Sequence, residues 1–529
     1  MVRSLRTVLI GLDGATFRVL DPLMERGVMP FLATLVDRGV RAPLRTVMPP
    51  LTPPAWTSLM TGKRPGEHGV FDFFQKERAG SEYYHLATSA DIGSATIWSL
   101  ASAHGKRVIS LNYPVMFPPP AVNGIVVPGG WMPWRQLRLG CHPPGLFDRL
   151  KLLPSFDPRE MALDMTLEAK AIEGCRREEY AEWIALHIRR EQRWFEVLEH
   201  VLSTDRPADL VGIMFDGTDK LQHLCWRFID VACQPGEPTS WEQQMIELCE
   251  GYFRRLDGLI EQTVALAGPD PTVLVVSDHG FGPTWDLFYI NAWLEQQGWL
   301  AWNDARAGSP AEEAQIGFAQ MTRHVYALDW ERTVAYAATP TSQGINLVDS
   351  APDRRAELGG EIAWALREIR NPVTGRPVVL DVLEREDAYA GPYAELGPDL
   401  SLVLADGAAM SILRSDEVLR RRAEPYGNHD WQGVFVAAGP GIRAGESIDE
   451  LSILNVAPSL LYTLDAAIPD DLIDRFAPTI FAPDELGGRP PRATTVLGAA
   501  SSAGGVEVEL DLDDEQTIVN RLRTLGYVE

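Results

Sequence analysis

The chain has 529 residues, 45% of them hydrophobic and 23% charged, which is the composition of a globular protein with a large core. Its formal net charge of −25 disfavours nucleic acid polymers and anionic membranes as partners. No apolar stretch is long enough to cross a bilayer, and we expect no signal peptide because the amino terminus runs straight into an apolar strand. The five cysteines lack metal-type spacing and are expected to be buried thiols, so we expect a cytoplasmic protein.

Strands and helices alternate along most of the chain. The predicted elements, in chain order, are a strand at Thr7–Leu12, an amphipathic helix reaching residue 35, a helix near 97–104, a strand at 107–111, a long helix over 159–202, strands ending at residues 215 and 277, and helices at 453–464 and 514–525. This alternation predicts an α/β fold with a mostly parallel central sheet flanked by helices.

Two long stretches interrupt the alternation, at residues 113–200 and 286–425. The first contains proline and glycine punctuation together with Trp131 and Trp134. We interpret both stretches as cap insertions of a single catalytic domain that spans residues 1–529, and we expect them to control substrate choice. Residues 496–505 are expected to form a flexible Ala/Ser/Gly linker.

Several apolar runs are bordered by residue types that bind divalent metal ions. The bordering residues are Asp13, Asp216, the pair Asp278-His279, and the segment Gly427-Asn428-His429. In open α/β sheets, ligands bind just outside the carboxyl ends of parallel strands. Just after Asp216, Asp219 and His223 are four residues apart and therefore share one face of a helical turn. Carboxylate and imidazole ligands at this edge indicate zinc, manganese or iron.

A second pattern surrounds Thr52, which is followed by Pro53 and Pro54. A hydroxyl at the start of a helix lies near backbone donors and the positive end of the helix dipole, which suits an anionic substrate and a nucleophilic alkoxide. Proline at the first helical position is equally typical of an ordinary helix start. The residues alone leave both interpretations open.

Taken in order, these motifs resemble the alkaline phosphatase superfamily, and most of all its type I phosphodiesterase/nucleotide pyrophosphatase branch, including uncharacterised prokaryotic members. The residues that carry the resemblance are Gly11-Leu12-Asp13-Gly14, Thr52-Pro53-Pro54-Ala55-Trp56-Thr57-Ser58, Thr61-Gly62, Pro65, His68-Gly69, Asp219, His223, Ser277-Asp278-His279-Gly280 and Gly427-Asn428-His429. Sulfatases of the superfamily carry an arginine where this chain has Trp56, so a formylglycine sulfatase is disfavoured.

The resemblance implies an alkaline-phosphatase-like α/β fold with cap insertions. It also implies a metal-dependent hydrolase of phosphate esters that contains two divalent ions, with zinc as the first expectation and manganese or iron as the other candidates. It implies the following ligands: Asp219, His223 and His429 for one ion, and Asp13, Asp278, His279 and the oxygen of Thr52 for the other. Thr52 would attack phosphorus and form a phospho-threonine ester that water then hydrolyses. The expected partner is a small-molecule phosphate ester, with no nucleic acid polymer and no membrane, while the oligomeric state stays open.

One departure concerns the group that binds a phosphoryl oxygen. Nucleotide pyrophosphatases place an asparagine where this chain has Phe73, so the replacement for that asparagine is unidentified. Lys63, Arg64 and Asp72 are the candidates near the nucleophile. Lys220 is expected to point away from the face shared by the residues on either side of it.

Other functions of the same superfamily stay open as alternatives: a phosphomutase, a phosphomonoesterase, a biosynthetic phosphoryl transferase, or a scaffold without catalysis. A mutase needs several cations around its substrate, whereas the first insertion offers few cations beside its aromatic residues. The aromatic run Phe71, Phe73 and Phe74 offers a surface for a neutral ester group. We therefore favour a phosphodiesterase.

Overall fold

The structure of the protein is a computed structural model that describes residues 6–81, 83–129, 136–161, 170, 174–303, 325, 327–348 and 351–495. The expectations for Trp131, Trp134, the linker at 496–505 and the helix at 514–525 fall outside these residues. Within the described ranges, every helix is too short or too polar to cross a lipid bilayer.

Strands and helices alternate along the described residues. The strands are β1 Thr7–Leu12, β2 Val40–Arg45, β3 Phe74–Lys76, β4 Tyr84–Leu86, β5 Val108–Leu111, β6 Gly124–Val127, β7 Leu210–Phe215, β8 Thr272–Val276, β9 Gly280–Tyr289, β10 Ala335–Tyr336, β11 Gly344–Leu347, β12 Val379–Glu384, β13 Leu400–Leu404, β14 Ala408–Ser411, β15 Leu419–Asp430, β16 Gln432–Ala438, β17 Glu446–Ser447, β18 Leu451–Ser452, β19 Ile468–Pro469 and β20 Ala493–Thr494. The α-helices are α1 Phe17–Glu25, α2 Pro30–Arg38, α3 Thr52–Thr61, α4 Pro65–His68, α5 Ile97–Ala103, α6 Leu137–Gly140, α7 Leu146–Leu150, α8 Pro158–Met161, α9 Tyr180–Thr204, α10 Gly217–Ile229, α11 Ser240–Leu266, α12 Ile290–Gln296, α13 Pro352–Arg367, α14 Arg385–Ala388, α15 Val456–Thr463 and α16 Pro483–Gly488.

A large central sheet organises the fold. Its strand order is β17-β2-β16-β8-β1-β7-β5-β6, with β18 also paired to β2. β1 is parallel to β7 and β8, and β5 is parallel to β6 and β7, whereas β16 is antiparallel to both of its neighbours. β1, β7 and β8 are buried along their whole length, as expected for parallel strands covered on both faces. The predicted α/β fold with a mostly parallel sheet is confirmed.

Helices cover both faces of this sheet. In β1, Val8 and Ile10 belong to a core shared with α1, α2, α9, α10 and α11. Leu9 points to the opposite face, where the core includes residues of α3, α5 and α15. Successive side chains of a strand alternate between faces, so one apolar strand contributes to both cores.

The long helix predicted over 159–202 is shorter at its amino end. α9 begins at Tyr180 and follows a capped turn at Arg177–Glu179, in which the Arg176 N–H donates to the Glu179 carboxylate. Gly174 just before this turn has a φ of +87°, which an α-helix does not allow. α9 packs against α10 and α11.

The residues between 286 and 425 form further sheets beside the central one. Strands β10, β11, β13 and β12 make a four-stranded sheet, and β9 pairs with both β14 and β15. The antiparallel pairing of β9 with β15 places His429 opposite Phe281. His429 therefore lies opposite a residue that is two positions after His279, although 150 positions separate the two histidines in sequence. The division into a core with two cap insertions stays a prediction.

Candidate metal centre

The seven residues expected to form the site lie at the ends of neighbouring elements. Asp13 directly follows β1, Asp278 and His279 lie between β8 and β9, Asp219 and His223 lie in the first two turns of α10, His429 lies in β15, and Thr52 is the first residue of α3. β7, β1 and β8 are adjacent parallel strands, so their carboxyl ends meet at one edge of the sheet.

One group of these residues is centred on Asp219. Its Oδ1 lies 3.5 Å from Nε2 of His223 and 3.1 Å from Nε2 of His429. The two Nε2 atoms are themselves 3.1 Å apart. Three side chains from two distant segments thus point at one location.

A second group is centred on His279. Its Nε2 lies 3.2 Å from Oδ2 of Asp278, 3.6 Å from Oδ1 of Asp13 and 3.3 Å from Oγ1 of Thr52. The ring of His279 stacks on that of His429 with centroids 3.8 Å apart, so the two groups adjoin. Two sets of residues each have all their ligand atoms within 4.8 Å of one another. One set is Asp13, Asp278 and His279, and the other is Asp219, His279 and His429.

The three imidazoles share one hydrogen-bonding pattern. Each Nδ1 lies 3.0 Å from a backbone carbonyl oxygen: that of Gly427 for His223, Gly280 for His279 and Pro50 for His429. A carbonyl can only accept, so each Nδ1 carries a proton, and in the neutral imidazole each Nε2 presents a lone pair. This is the arrangement in which protein histidines bind metal ions through Nε2.

Three carboxylates of the site each have one buried oxygen without a hydrogen-bond partner among the described residues. Asp13 Oδ1, Asp219 Oδ1 and Asp278 Oδ2 are buried and meet no hydrogen-bond donor in the described part of the chain. Burial raises the pKa of Asp278 to about 8, and burial together with the Asp278 carboxylate raises the pKa of Asp13. Burial also lowers the pKa of His279 well below its usual value. Burying an acceptor without a donor costs free energy. A divalent cation bound by these oxygens and nitrogens would offset that cost.

His68 lies outside this constellation. It is fully buried behind α3, where its Nδ1 accepts from the Val70 N–H at 3.2 Å and its Nε2 lies 2.9 Å from Oγ of Ser58. Burial lowers its pKa to about 3. His68 is therefore a neutral packing residue.

Three residues were candidates to replace the missing asparagine, and two of them have partners outside the metal centre. Lys63 pairs with Asp471 at 2.7 Å, and Arg64 is exposed. Asp72 is buried and accepts hydrogen bonds from the side chains of Thr339 and Thr341.

The aromatic run that was expected to seat an ester group is largely buried. Phe71 is 4% exposed and packs on Tyr389 with ring centroids 5.0 Å apart, and Phe73 is 8% exposed. These two rings contribute to packing below the surface.

The side chain of Lys220 points in a direction that we did not expect. We expected its side chain to point away from Asp219, but its Nζ lies 3.9 Å from Oδ2 of that carboxylate. Both side chains are buried at the start of α10, where the attraction between opposite charges is strong. Helical spacing alone misses this, because a lysine stem is long enough to fold back along its own turn.

Known proteins can now be compared with this geometry. The family model for type I phosphodiesterase/nucleotide pyrophosphatase matches residues 7–432. The chain belongs to this family. The resemblance to the alkaline phosphatase superfamily is thereby confirmed, and the protein is a phosphoric ester hydrolase.

One of the similar solved structures supports the fold, and a second is similar over most of the chain. Human ectonucleotide pyrophosphatase/phosphodiesterase 5 is 15% identical, covers 92% of this chain and 99% of its own, and superimposes with a TM-score of 0.50. Phosphonoacetate hydrolase from Sinorhizobium meliloti 1021, in complex with phosphonoformate, is 17% identical, covers 88% and 96% of the two chains, and has a TM-score of 0.49. No curated protein matches the chain in sequence.

Proposed function

We propose that this family member is a phosphodiesterase that uses two divalent metal ions, zinc in the first place, and Thr52 as its nucleophile. The observation that carries the proposal is the lone-pair arrangement of the centre. Nε2 of His223 and Nε2 of His429 face each other at 3.1 Å beside the buried Oδ1 of Asp219. Mutually repelling acceptors at this distance call for a cation between them.

The proposed ligands follow the two groups. Asp219, His223 and His429 would hold one ion, and Asp13, Asp278, His279 and Oγ1 of Thr52 would hold the other. His279 lies within reach of both groups. We assign it to the second ion because its Nε2 is near Asp278, Asp13 and Thr52.

Thr52 supplies the attacking oxygen. Its Oγ1 lies 3.3 Å from Nε2 of His279, so the hydroxyl oxygen and the imidazole nitrogen are close enough to bind the same proposed ion. Thr52 begins α3, so the positive end of the helix dipole faces the incoming phosphoryl group. When bound, the two ions would neutralise phosphoryl oxygens and lower the pKa of the threonine hydroxyl.

The reaction then has two displacements. The oxygen of Thr52 bonds to phosphorus while the bond from phosphorus to the leaving alcohol breaks, and that alcohol takes up a proton. Water next attacks the phospho-threonine ester, which returns the hydroxyl of Thr52 and releases a phosphate monoester. The substrate class is a small phosphodiester, and the proposed compartment is the cytoplasm, which the five free thiols support.

The test is a panel of matched aryl phosphodiesters and monoesters, assayed with chelator-stripped protein and after reloading with zinc or manganese. We expect activity that requires the metal and is greatest on a diester. An active, metal-free protein would contradict the proposal, and a clear preference for monoesters would move the function to a phosphatase or mutase while leaving the metal assignment intact.

A further inference from the structure

The helix that carries two of the proposed metal ligands is capped by a residue of another helix. α10 begins at Gly217, and the side chain of its N-cap residue, Asp216, makes no capping hydrogen bond. Instead Oε1 of Glu191, from α9, accepts from the Gly217 N–H at 2.7 Å. The first turn of a helix leaves several N–H groups without intrahelical partners, so a buried helix start needs such an acceptor.

The Glu191 carboxylate is held in place from a third helix. The hydroxyl of Tyr252, in α11, donates to the same Oε1 at 3.0 Å, and Glu191 is 1% exposed. A Cβ at position 217 would lie 2.5 Å from this oxygen and 2.6 Å from the Tyr252 hydroxyl. The contact therefore depends on glycine at the start of α10.

Packing does not require a carboxylate at this position. Glu191 lies seven residues from both Ile184 and Leu198, which are fully buried, so the helical pattern predicts an apolar side chain there. A buried carboxylate costs free energy that an apolar residue avoids. At the start of α10 its Oε1 faces the positive end of the helix dipole.

The start of α10 is connected to both halves of the metal centre. Asp219 lies two residues after Gly217, and His223 follows one turn later. Oγ1 of Thr218 donates to the carbonyl oxygen of Asp13 at 2.5 Å. A displacement of this first turn would move ligands of one ion and disturb the loop that holds a ligand of the other.

We propose that Glu191 is a positioning residue that fixes the start of α10 and thereby holds Asp219 and His223 at metal-binding distances. This inference rests on the proposed function, because it concerns the affinity of the ion that those residues would bind. Outer residues that orient metal ligands contribute about 10–100-fold to metal affinity.

The experiment measures zinc affinity by chelator competition in the full-length protein, together with the melting temperature. Glu191→Ala removes the acceptor, whereas Glu191→Gln keeps an oxygen that can accept from Gly217. Leu198→Ala is the matched control, since it removes buried volume from the same face of α9, seven residues from Glu191, and leaves the acceptor of the Gly217 N–H in place. Gly217→Ala displaces the carboxylate sterically and gives an independent probe.

We expect Glu191→Ala and Gly217→Ala to weaken one of two zinc sites by about 10–100-fold, Glu191→Gln to stay within a few-fold of wild type, and Leu198→Ala to lower only the melting temperature. Wild-type affinity in Glu191→Ala, or an equal loss in Leu198→Ala, would overturn the positioning role. A wild-type protein that binds neither zinc nor manganese would instead refute the proposed function, so the two failures are distinguishable.

Discussion

Nε2 of His223 lies 3.1 Å from Nε2 of His429, and in the neutral rings both atoms present lone pairs, because each Nδ1 donates a hydrogen bond to a backbone carbonyl. Two such nitrogens repel each other unless a proton or a metal ion lies between them. The carboxylate of Asp219 sits beside both rings. A divalent cation relieves the repulsion and satisfies the carboxylate at once.

The first prediction concerns metal content. Purified protein should contain about two divalent ions per chain, and His223→Ala should lose one of them along with most of the activity. Elemental analysis and chelator competition measure this. His104→Ala is the control, because His104 is exposed and distant in sequence from every proposed ligand. Equal metal content in both variants would contradict the assignment.

Thr52→Ala should lower kcat by at least about 10³-fold while metal content and melting temperature stay close to wild type. The variant removes only the hydroxyl near Nε2 of His279. Quenching turnover with a slow aryl ester should trap a phosphoryl adduct on residue 52, detectable by mass spectrometry. An adduct on Thr57 or Ser58 would refute this choice of nucleophile.

His68 predicts a pH dependence of stability. Burial lowers its pKa from 6.5 to about 3, so between these values the unfolded chain binds a proton that the folded chain does not. Its contribution to the free energy of unfolding therefore falls as pH drops below 6.5, by about 1.4 kcal/mol per pH unit.

The matching variant is His68→Gln, which does not titrate. Urea unfolding at several values between about pH 4.5 and about pH 7.5 should show the variant gaining stability relative to wild type as pH falls. Parallel curves would mean that His68 is protonated in the folded protein. The variant should keep both metal ions, since His68 hydrogen-bonds to Ser58 and Val70 and lies outside the two groups of proposed ligands.

Diesters should be cleaved with a kcat/KM about tenfold or more above that of the matching monoesters. A monoester dianion brings an extra charge that needs a cation, and Lys63 is already paired with Asp471. Lys220 is the cation beside the centre, 3.9 Å from Asp219. If monoesters are preferred, Lys220→Met should reverse that preference, because it removes this charge and keeps the stem.

The helix and strand pattern predicted the fold well because local periodicity reports burial on each face. Continuous apolar runs gave β1, β7 and β8 as buried strands, and the metal-binding residue types at their ends lie at one sheet edge. The helix predicted over 159–202 is not one continuous helix, because Gly174 and the turn at Arg177–Glu179 lie between α8 and α9.

The sequence by itself determined which residue types border the strands, that Asp219 and His223 share a helical face, and that the motifs belong to a phosphodiesterase family. Tertiary structure alone decided the tautomers of the three histidines, since their carbonyl partners lie in other segments or depend on the local backbone path. It also decided the position of Lys220 and the contact between Glu191 and Gly217. Such contacts depend on sheet order and helix packing, which bring together residues that no local spacing relates.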